Sequence, residues 1–180
     1  MRLASGRWPT FVAPLLAAGA ALSVLCAPAA PVQAADPPKA EVLKWVSYNE
    51  AVKLAAASKK PILVDVFTTW CGWCKRMDAT TYKDPRVVED LNQDFVLVKL
   101  NAESDRAVTY KKEALTEERL AREVFGVTGF PTTVFVRHDQ EVISPLPGYV
   151  PAAEFHTILR FIGTGAYEKM RYPEFKAKNP

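Results

Sequence analysis

The run Ile62-Leu63-Val64-Asp65-Val66-Phe67 is separated by only two threonines from Trp70-Cys71-Gly72-Trp73-Cys74-Lys75. Its two alternating sets, Ile62, Val64 and Val66 on one side and Leu63, Asp65 and Phe67 on the other, are both mostly apolar, which marks a central strand covered on both faces. A chain built around such a strand is layered, helices over a sheet. It also delivers two cysteines, two residues apart, to a strand-to-helix junction.

That position suits reversible disulfide chemistry. A helix opening at Cys71 aims its unsatisfied N–H groups and the positive end of its dipole at the first sulfur, which favours the thiolate. Cys71 is therefore the expected nucleophile. Cys74, one turn further in and shielded by the helix, is placed to resolve a mixed disulfide rather than start one. Two other uses of the pair stand beside this one. Structural zinc needs four ligands, and the rest of the chain offers only Cys26, His138 and His156. A purely structural disulfide is compatible with the spacing, although so short a loop stabilises little through chain entropy.

Asp65 is the polar exception in the strand. Burying a carboxylate is costly unless it is neutralised or hydrogen-bonded. A buried acid with a raised pKa, a short turn away from the thiols, can take the proton from Cys74 when that residue attacks. The competing reading is structural: Asp65 ties down a loop or pairs with Lys99.

The first residues read as a targeting segment. Arg2 and Arg7 form a basic start, residues 11–25 an apolar stretch, and Val32-Gln33-Ala34 a small-residue cleavage site. Residues 1–34 are expected to be a signal peptide cut after Ala34 or Ala35, and 35–41 a linker. Pro14 and Gly19 interrupt the apolar stretch, so retention as a membrane anchor is the lesser reading and no stable insertion is expected after cleavage. Cys26 follows Leu25, where a lipid-attachment signal normally has a small residue. Loss of the leader removes Arg2, Arg7 and Cys26, leaving 21 basic against 20 acidic residues. So even a balance argues against nucleic acid or an anionic membrane as the main partner. What remains is the size of one ordinary domain, and its only cysteines are the Cys71 and Cys74 pair, a usage that fits chemistry better than stapling.

Along the chain, residues 42–46 suit an edge strand, and Ser47 with Glu50 has capping-box spacing before a helix whose apolar side is Val52, Leu54 and Ala55. Asp84-Pro85 opens a short helix to Leu91, and residues 95–100 form a second strong strand. Residues 101–114 are charged and aperiodic. Thr116 caps a helix that turns Leu120, Ala121, Val124 and Phe125 inward before Gly126. Thr132–Val136 is a third strand, followed by a turn and a fourth at 141–143. The last helix begins at Pro151, buries Phe155, Ile158, Leu159 and Ile162, and stops at Gly163. The polar tail 164–180 is expected to pack loosely or fray.

Residues 62–75, reading Ile-Leu-Val-Asp-Val-Phe-Thr-Thr-Trp-Cys-Gly-Trp-Cys-Lys, resemble the active-site strand and helix of the thioredoxin superfamily. The likeness extends past the cysteines. Asp65, six residues before Cys71, matches the family's buried acid, Lys99 its partner lysine, Phe130-Pro131-Thr132 its cis-proline loop, and Gly148 also fits. The resemblance covers residues 42–163 and implies an α/β thioredoxin fold, a central mixed sheet of four to five strands with helices on both faces. It implies a redox-active Cys71–Cys74 disulfide and a cis peptide before Pro131, beside which the backbone around Phe130 pairs with an extended substrate strand. Trp70 and Trp73 are expected to form an apolar rim that receives a partner chain, with simple surface exposure as the alternative.

Two departures limit the transfer. Gly72-Trp73 is neither the dipeptide of cytosolic thioredoxins nor that of dedicated oxidants, so it leaves the redox direction open. The stretch from Asn101 to Phe130 is longer than in thioredoxin itself. With the leader, these features resemble exported thioredoxin-like reductases, including the C-terminal domain of the membrane thiol:disulfide interchange protein and thioredoxins of sulfur-oxidation operons. The resemblance implies a monomeric periplasmic thiol:disulfide oxidoreductase, a reductase of protein disulfides that needs neither cofactor nor metal. A membrane thiol:disulfide interchange protein is its expected electron donor. The alternatives are an oxidase or isomerase, or a thioredoxin-fold binding module or chaperone.

Overall fold

The computed structural model describes residues 42–179, so the expected signal peptide 1–34 and linker 35–41 lie outside the described residues. A five-stranded mixed sheet forms the centre, in the order β1-β3-β2-β6-β7. The strands are β1 (Trp45–Val46), β2 (Ile62–Phe67), β3 (Val96–Asn101), β6 (Thr132–Val136) and β7 (Val142–Pro147). The first three run parallel, and β6 and β7 are antiparallel to their neighbours.

The two faces of β2 feed two separate cores. Ile62, Val64 and Val66 pack with Tyr48, Ala51 and Ala55 of α1 (Tyr48–Ser58) and with Leu120, Ala121 and Phe125. Leu63, on the other face, packs with Met77 of α2 (Gly72–Ala79), Val87 and Leu91 of α3 (Pro85–Asp94), and Phe155 and Leu159 of α5 (Ala152–Gly163). Helices thus cover both faces, as a central strand apolar on both sides requires.

Local chemistry explains most element ends. Ser47 Oγ accepts from the Glu50 amide at 3.3 Å to start α1, and Lys59 in the left-handed region (φ 62°) ends it. The buried side of α1 is Tyr48, Ala51 and Ala55 rather than Val52, Leu54 and Ala55; Leu54 is 46% exposed. The stripe starts one residue after the cap, on a tyrosine whose ring carries the apolar area. Asp84 Oδ1 accepts from the Arg86 amide at 3.0 Å, and α3 then runs three residues beyond the expected Leu91.

Four segments differ from the sequence expectations. The charged stretch after β3 is not aperiodic: β4 (Ala107–Tyr110) and β5 (Glu113–Thr116) form an antiparallel hairpin that buries Val108 and Leu115 on the α1 side. Its two-residue turn is Lys111-Lys112, both with positive φ (45° and 76°). The Asn49 side chain closes the outer edge of β4, donating to Ala107 O at 3.3 Å and accepting from Thr109 N at 2.8 Å. Next, the helix capped by Thr116 is only briefly α-helical: α4 (Glu117–Arg119) widens into a π-helical turn, Leu120–Val124, in which Phe125 N bonds Leu120 O at 3.0 Å.

The third difference is the tail, which does not fray. After α5, Gly165 rather than Gly163 takes the left-handed conformation (φ 71°), and α6 (Tyr172–Lys178) follows. Phe161 of α5 stacks against Tyr172 and Phe175, with ring centroids at 5.4 and 5.3 Å, so three aromatics hold the segment down. β7 is also longer than 141–143; its Pro145 and Pro147 are tolerated because it is an edge strand. No helix among the described residues is long and apolar enough to cross a membrane.

Candidate functional site

Cys71 is the N-cap of α2. Its backbone is extended (φ −69°, ψ 104°), and its sulfur accepts from the Cys74 amide at 3.0 Å. A cap is normally an oxygen; here the sulfur takes that place and receives the helix's orphan N–H. Cys71 and Cys74 are joined in a disulfide, and each is only 4% exposed. The Cys71 amide in turn donates to Thr68 O at 3.2 Å, fixing the turn that links β2 to α2.

Aromatic side chains stand on either side. Trp70, 66% exposed, meets Phe130 edge-on with centroids 5.9 Å apart, and its indole N–H donates to Glu103 Oε1 at 2.8 Å. The Phe130–Pro131 peptide is cis. The Trp70–Phe130 contact therefore joins the residue before Cys71 to the residue before the cis-proline. Pro131 O accepts from the Gly148 amide at 2.8 Å, and Gly148 has φ 89°, which only glycine adopts freely. Trp73, 55% exposed, lies 5.6 Å from the Tyr149 ring, and the Arg76 guanidinium covers both rings at 5.1 and 5.3 Å. Glu103, Tyr149 and Arg76 were not anticipated from sequence. Arg76 is three residues after Trp73 on one helix face, a spacing that signals contact; Glu103 and Tyr149 arrive through tertiary structure alone.

Asp65, on the strand that precedes the cysteines, is 2% exposed, and its Oδ2 accepts from Lys99 Nζ at 2.5 Å. The two residues are register partners on β2 and β3. Lys99 also donates to Asp78 of α2, and its ammonium lies over the rings of Trp45, Tyr82 and Phe67 at 5.1, 5.2 and 5.5 Å. Burial raises the Asp65 carboxyl above the ordinary carboxylate range, and the nearby Lys99 charge offsets this only in part. For Lys99, burial pulls its pKa down, but Asp65 and Asp78 together hold the ammonium above its usual value. The structural partnership with Lys99 and a perturbed carboxyl thus coexist.

Neither histidine approaches the cysteines in a ligand set. His156 Nδ1 is 2.5 Å from Asp90 Oδ2, tying α5 to α3, and no three His, Cys, Asp or Glu side chains converge on a metal position among the described residues.

Comparison with known proteins agrees with this geometry. A model of a thioredoxin-like domain matches residues 48–163. The thiol:disulfide interchange protein DsbD of Salmonella typhimurium is 32% identical over 104 residues, 57% of this chain but only 17% of that protein's length. Among solved structures, a thioredoxin from Thermus thermophilus is 29% identical with a TM-score of 0.54, covering 66% of this chain and 85% of its own. A thioredoxin-fold protein from Helicobacter pylori is 25% identical with a TM-score of 0.55, covering 67% and 80%. The domain match takes in β2, the paired cysteines, Lys99, the cis-proline and α5. On that match the chain belongs to the thioredoxin-like domain family.

Proposed function

We propose that this protein is an exported, periplasmic reductase of protein disulfides, with Cys71 as attacking residue and Cys74 as resolving residue. The observation that carries the assignment of roles is the Cys74 amide aimed at the Cys71 sulfur, at 3.0 Å. In the dithiol state the same N–H and the α2 dipole favour a Cys71 thiolate.

The cycle balances in two exchanges. The Cys71 thiolate attacks one sulfur of a substrate disulfide, forming a mixed disulfide and releasing the first substrate thiolate. Cys74 then passes its proton to the Asp65 carboxylate and attacks the Cys71 sulfur. The Cys71–Cys74 disulfide forms, the second substrate thiolate leaves, and two electrons have moved to the substrate. Asp65 supports this role because it is buried, raised by that burial, and anchored by Lys99. Trp70, Trp73, Phe130 and Pro131 form the receiving surface, which presents two exposed indoles and the cis-proline backbone. No cofactor takes part. A membrane thiol:disulfide interchange protein is proposed to restore the dithiol, since an oxidising compartment does not supply electrons from a buffer. The protein is proposed to act as a monomer, without nucleic acid or metal.

The reduction potential of the Cys71–Cys74 couple, equilibrated against glutathione or dithiothreitol, tests the direction. A value at or below about −230 mV supports a reductase; one near roughly −120 mV makes the protein an oxidant and overturns the proposal.

A further inference from the structure

Asp65 has one oxygen bound and one free. Oδ2 takes the Lys99 ammonium, whereas Oδ1 is buried without a hydrogen-bond partner among the described residues. Two hydroxyls in the same pocket are in the same condition, Tyr82 Oη and Thr133 Oγ1. They come from separate elements. Tyr82 lies in the 3-10 turn Thr81–Lys83 after α2, and Thr133 lies on β6 as the register partner of Asp65, so its side chain emerges on the same face of the sheet. The Tyr82 ring packs under the Lys99 ammonium at 5.2 Å, which places it against the very ion pair that holds Oδ2.

Packing alone gives no reason for these hydroxyls. Phenylalanine keeps every ring contact of Tyr82, with Trp45 at 5.4 Å and Phe155 at 5.8 Å, and valine keeps the shape of Thr133. Buried polar atoms are nearly always paired, and a group of three left free around one acid calls for a use. Hydroxyl hydrogens rotate at little cost, so these groups can turn toward an oxygen whenever it becomes a stronger acceptor.

We propose that Tyr82 and Thr133 are positioning residues for Asp65: Tyr82 donates to Oδ1 when the carboxyl ionises, Thr133 supports Tyr82, and both turn away when Asp65 takes up a proton. This rests on the reading of Asp65 as the proton acceptor for Cys74. The hydroxyl pair opposes burial, which otherwise keeps the acid protonated. It thereby keeps a charged base available for the resolving step. The other groups acting on Asp65 are Lys99 from β3 and Asp78 from α2. Of these, only Lys99 donates to the carboxyl, and it serves the opposite oxygen. Tyr48 is likewise unpartnered but belongs to the core on the far side of the sheet.

The test follows the Asp65 side-chain carboxyl by carbon NMR in the full chain, in the parent, Tyr82→Phe and Thr133→Val. Loss of a hydrogen bond to a charged group is expected to move the Asp65 midpoint up by about one pH unit in Tyr82→Phe, and by less in Thr133→Val. The pH profile of mixed-disulfide resolution should move with it. Midpoints unchanged in both variants overturn the proposal. Asp65→Asn separates the two ideas: if it resolves mixed disulfides at the parent rate, proton transfer by Asp65 is wrong, while the carboxyl titrations still decide whether the hydroxyls act on it.

Discussion

Lys99 holds Asp65 and Asp78 with one ammonium, donating to Asp65 Oδ2 at 2.5 Å and to Asp78 on the cysteine helix. A residue on β3 thus ties the strand that precedes the cysteines to the helix that carries them. The three side chains also differ in exposure, from fully buried Asp65 through partly covered Lys99 to half-exposed Asp78. They form a polar path from the buried acid to solvent.

Removing the cation exposes what the pair does. In Lys99→Met the methionine fills the space between the Trp45, Phe67 and Tyr82 rings, but Asp65 loses its charged donor. Leaving one partner of a buried pair alone is destabilising, here by about 2 kcal/mol at pH 7 since Lys99 is partly exposed. The loss should shrink toward pH 4, as the folded carboxyl takes up its proton and no longer needs the cation. Urea unfolding at the two pH values measures it, and an equal loss at both would separate the effect from Asp65.

The sign of the Asp65 contribution is set by its raised pKa. The folded state holds the proton to higher pH than the unfolded chain, whose carboxyl titrates near 3.8. Native stability therefore falls as pH rises from that value through the folded pKa. Asp65→Asn copies the neutral acid at every pH. The variant should match the parent in acid and exceed it in stability above the folded pKa. Lys99 keeps Asp78 as a partner throughout. Denaturation curves at pH 4 and pH 8 check this, and a variant less stable than the parent at pH 8 contradicts it.

Trp70 offers a way to separate docking from chemistry. Its ring touches Phe130 and its N–H is held by Glu103, yet it is mostly exposed. Trp70→Ala should lower kcat/KM for a protein disulfide by about tenfold, the effect of losing about 1.4 kcal/mol of contact. Turnover of a small disulfide such as oxidised glutathione should change far less. An equal drop for both substrates would place Trp70 in the chemistry, not the docking surface.

Much of the fold was legible because strong local signals agreed. Ile62–Phe67 and Thr132–Val136 are strands with the bounds their composition suggests, and Ser47, Asp84 and Thr116 each cap a helix. The features that escaped were set by tertiary contacts. The π-helical turn at Leu120–Val124 has an ordinary helical sequence, and nothing in it signals the widening that accompanies the burial of Leu120, Ala121 and Phe125. The ring contacts of Phe161 with Tyr172 and Phe175 hold a segment whose polarity reads as a tail. At the site, the cysteines and Asp65 stand out by their spacing, and Lys99 and the cis-proline through the family resemblance, whereas Glu103 and Tyr149 meet the indoles from distant loops.

The hairpin after β3 was hidden by its turn. Two-residue hairpin turns with positive φ at both positions favour Asn-Gly, and Lys111-Lys112 gives no such signal. Its conformation is held from outside. Tyr110 Oη donates to Gln140 O at 3.0 Å, Lys111 N donates to Gln140 Oε1 at 3.2 Å, and Lys111 Nζ pairs with Glu141. Lys112, at φ 76°, carries the left-handed cost without any of those bonds. Lys112→Gly should therefore relieve about 1 kcal/mol or more of backbone strain against the extra entropy glycine gives the unfolded chain, for a net gain of roughly 0.5 kcal/mol. Lys111→Gly removes the Glu141 pair and should gain less. Thermal unfolding of the two variants ranks them, and a destabilised Lys112→Gly would mean that Lys112 has a partner in solution or that the turn is not left-handed at that residue.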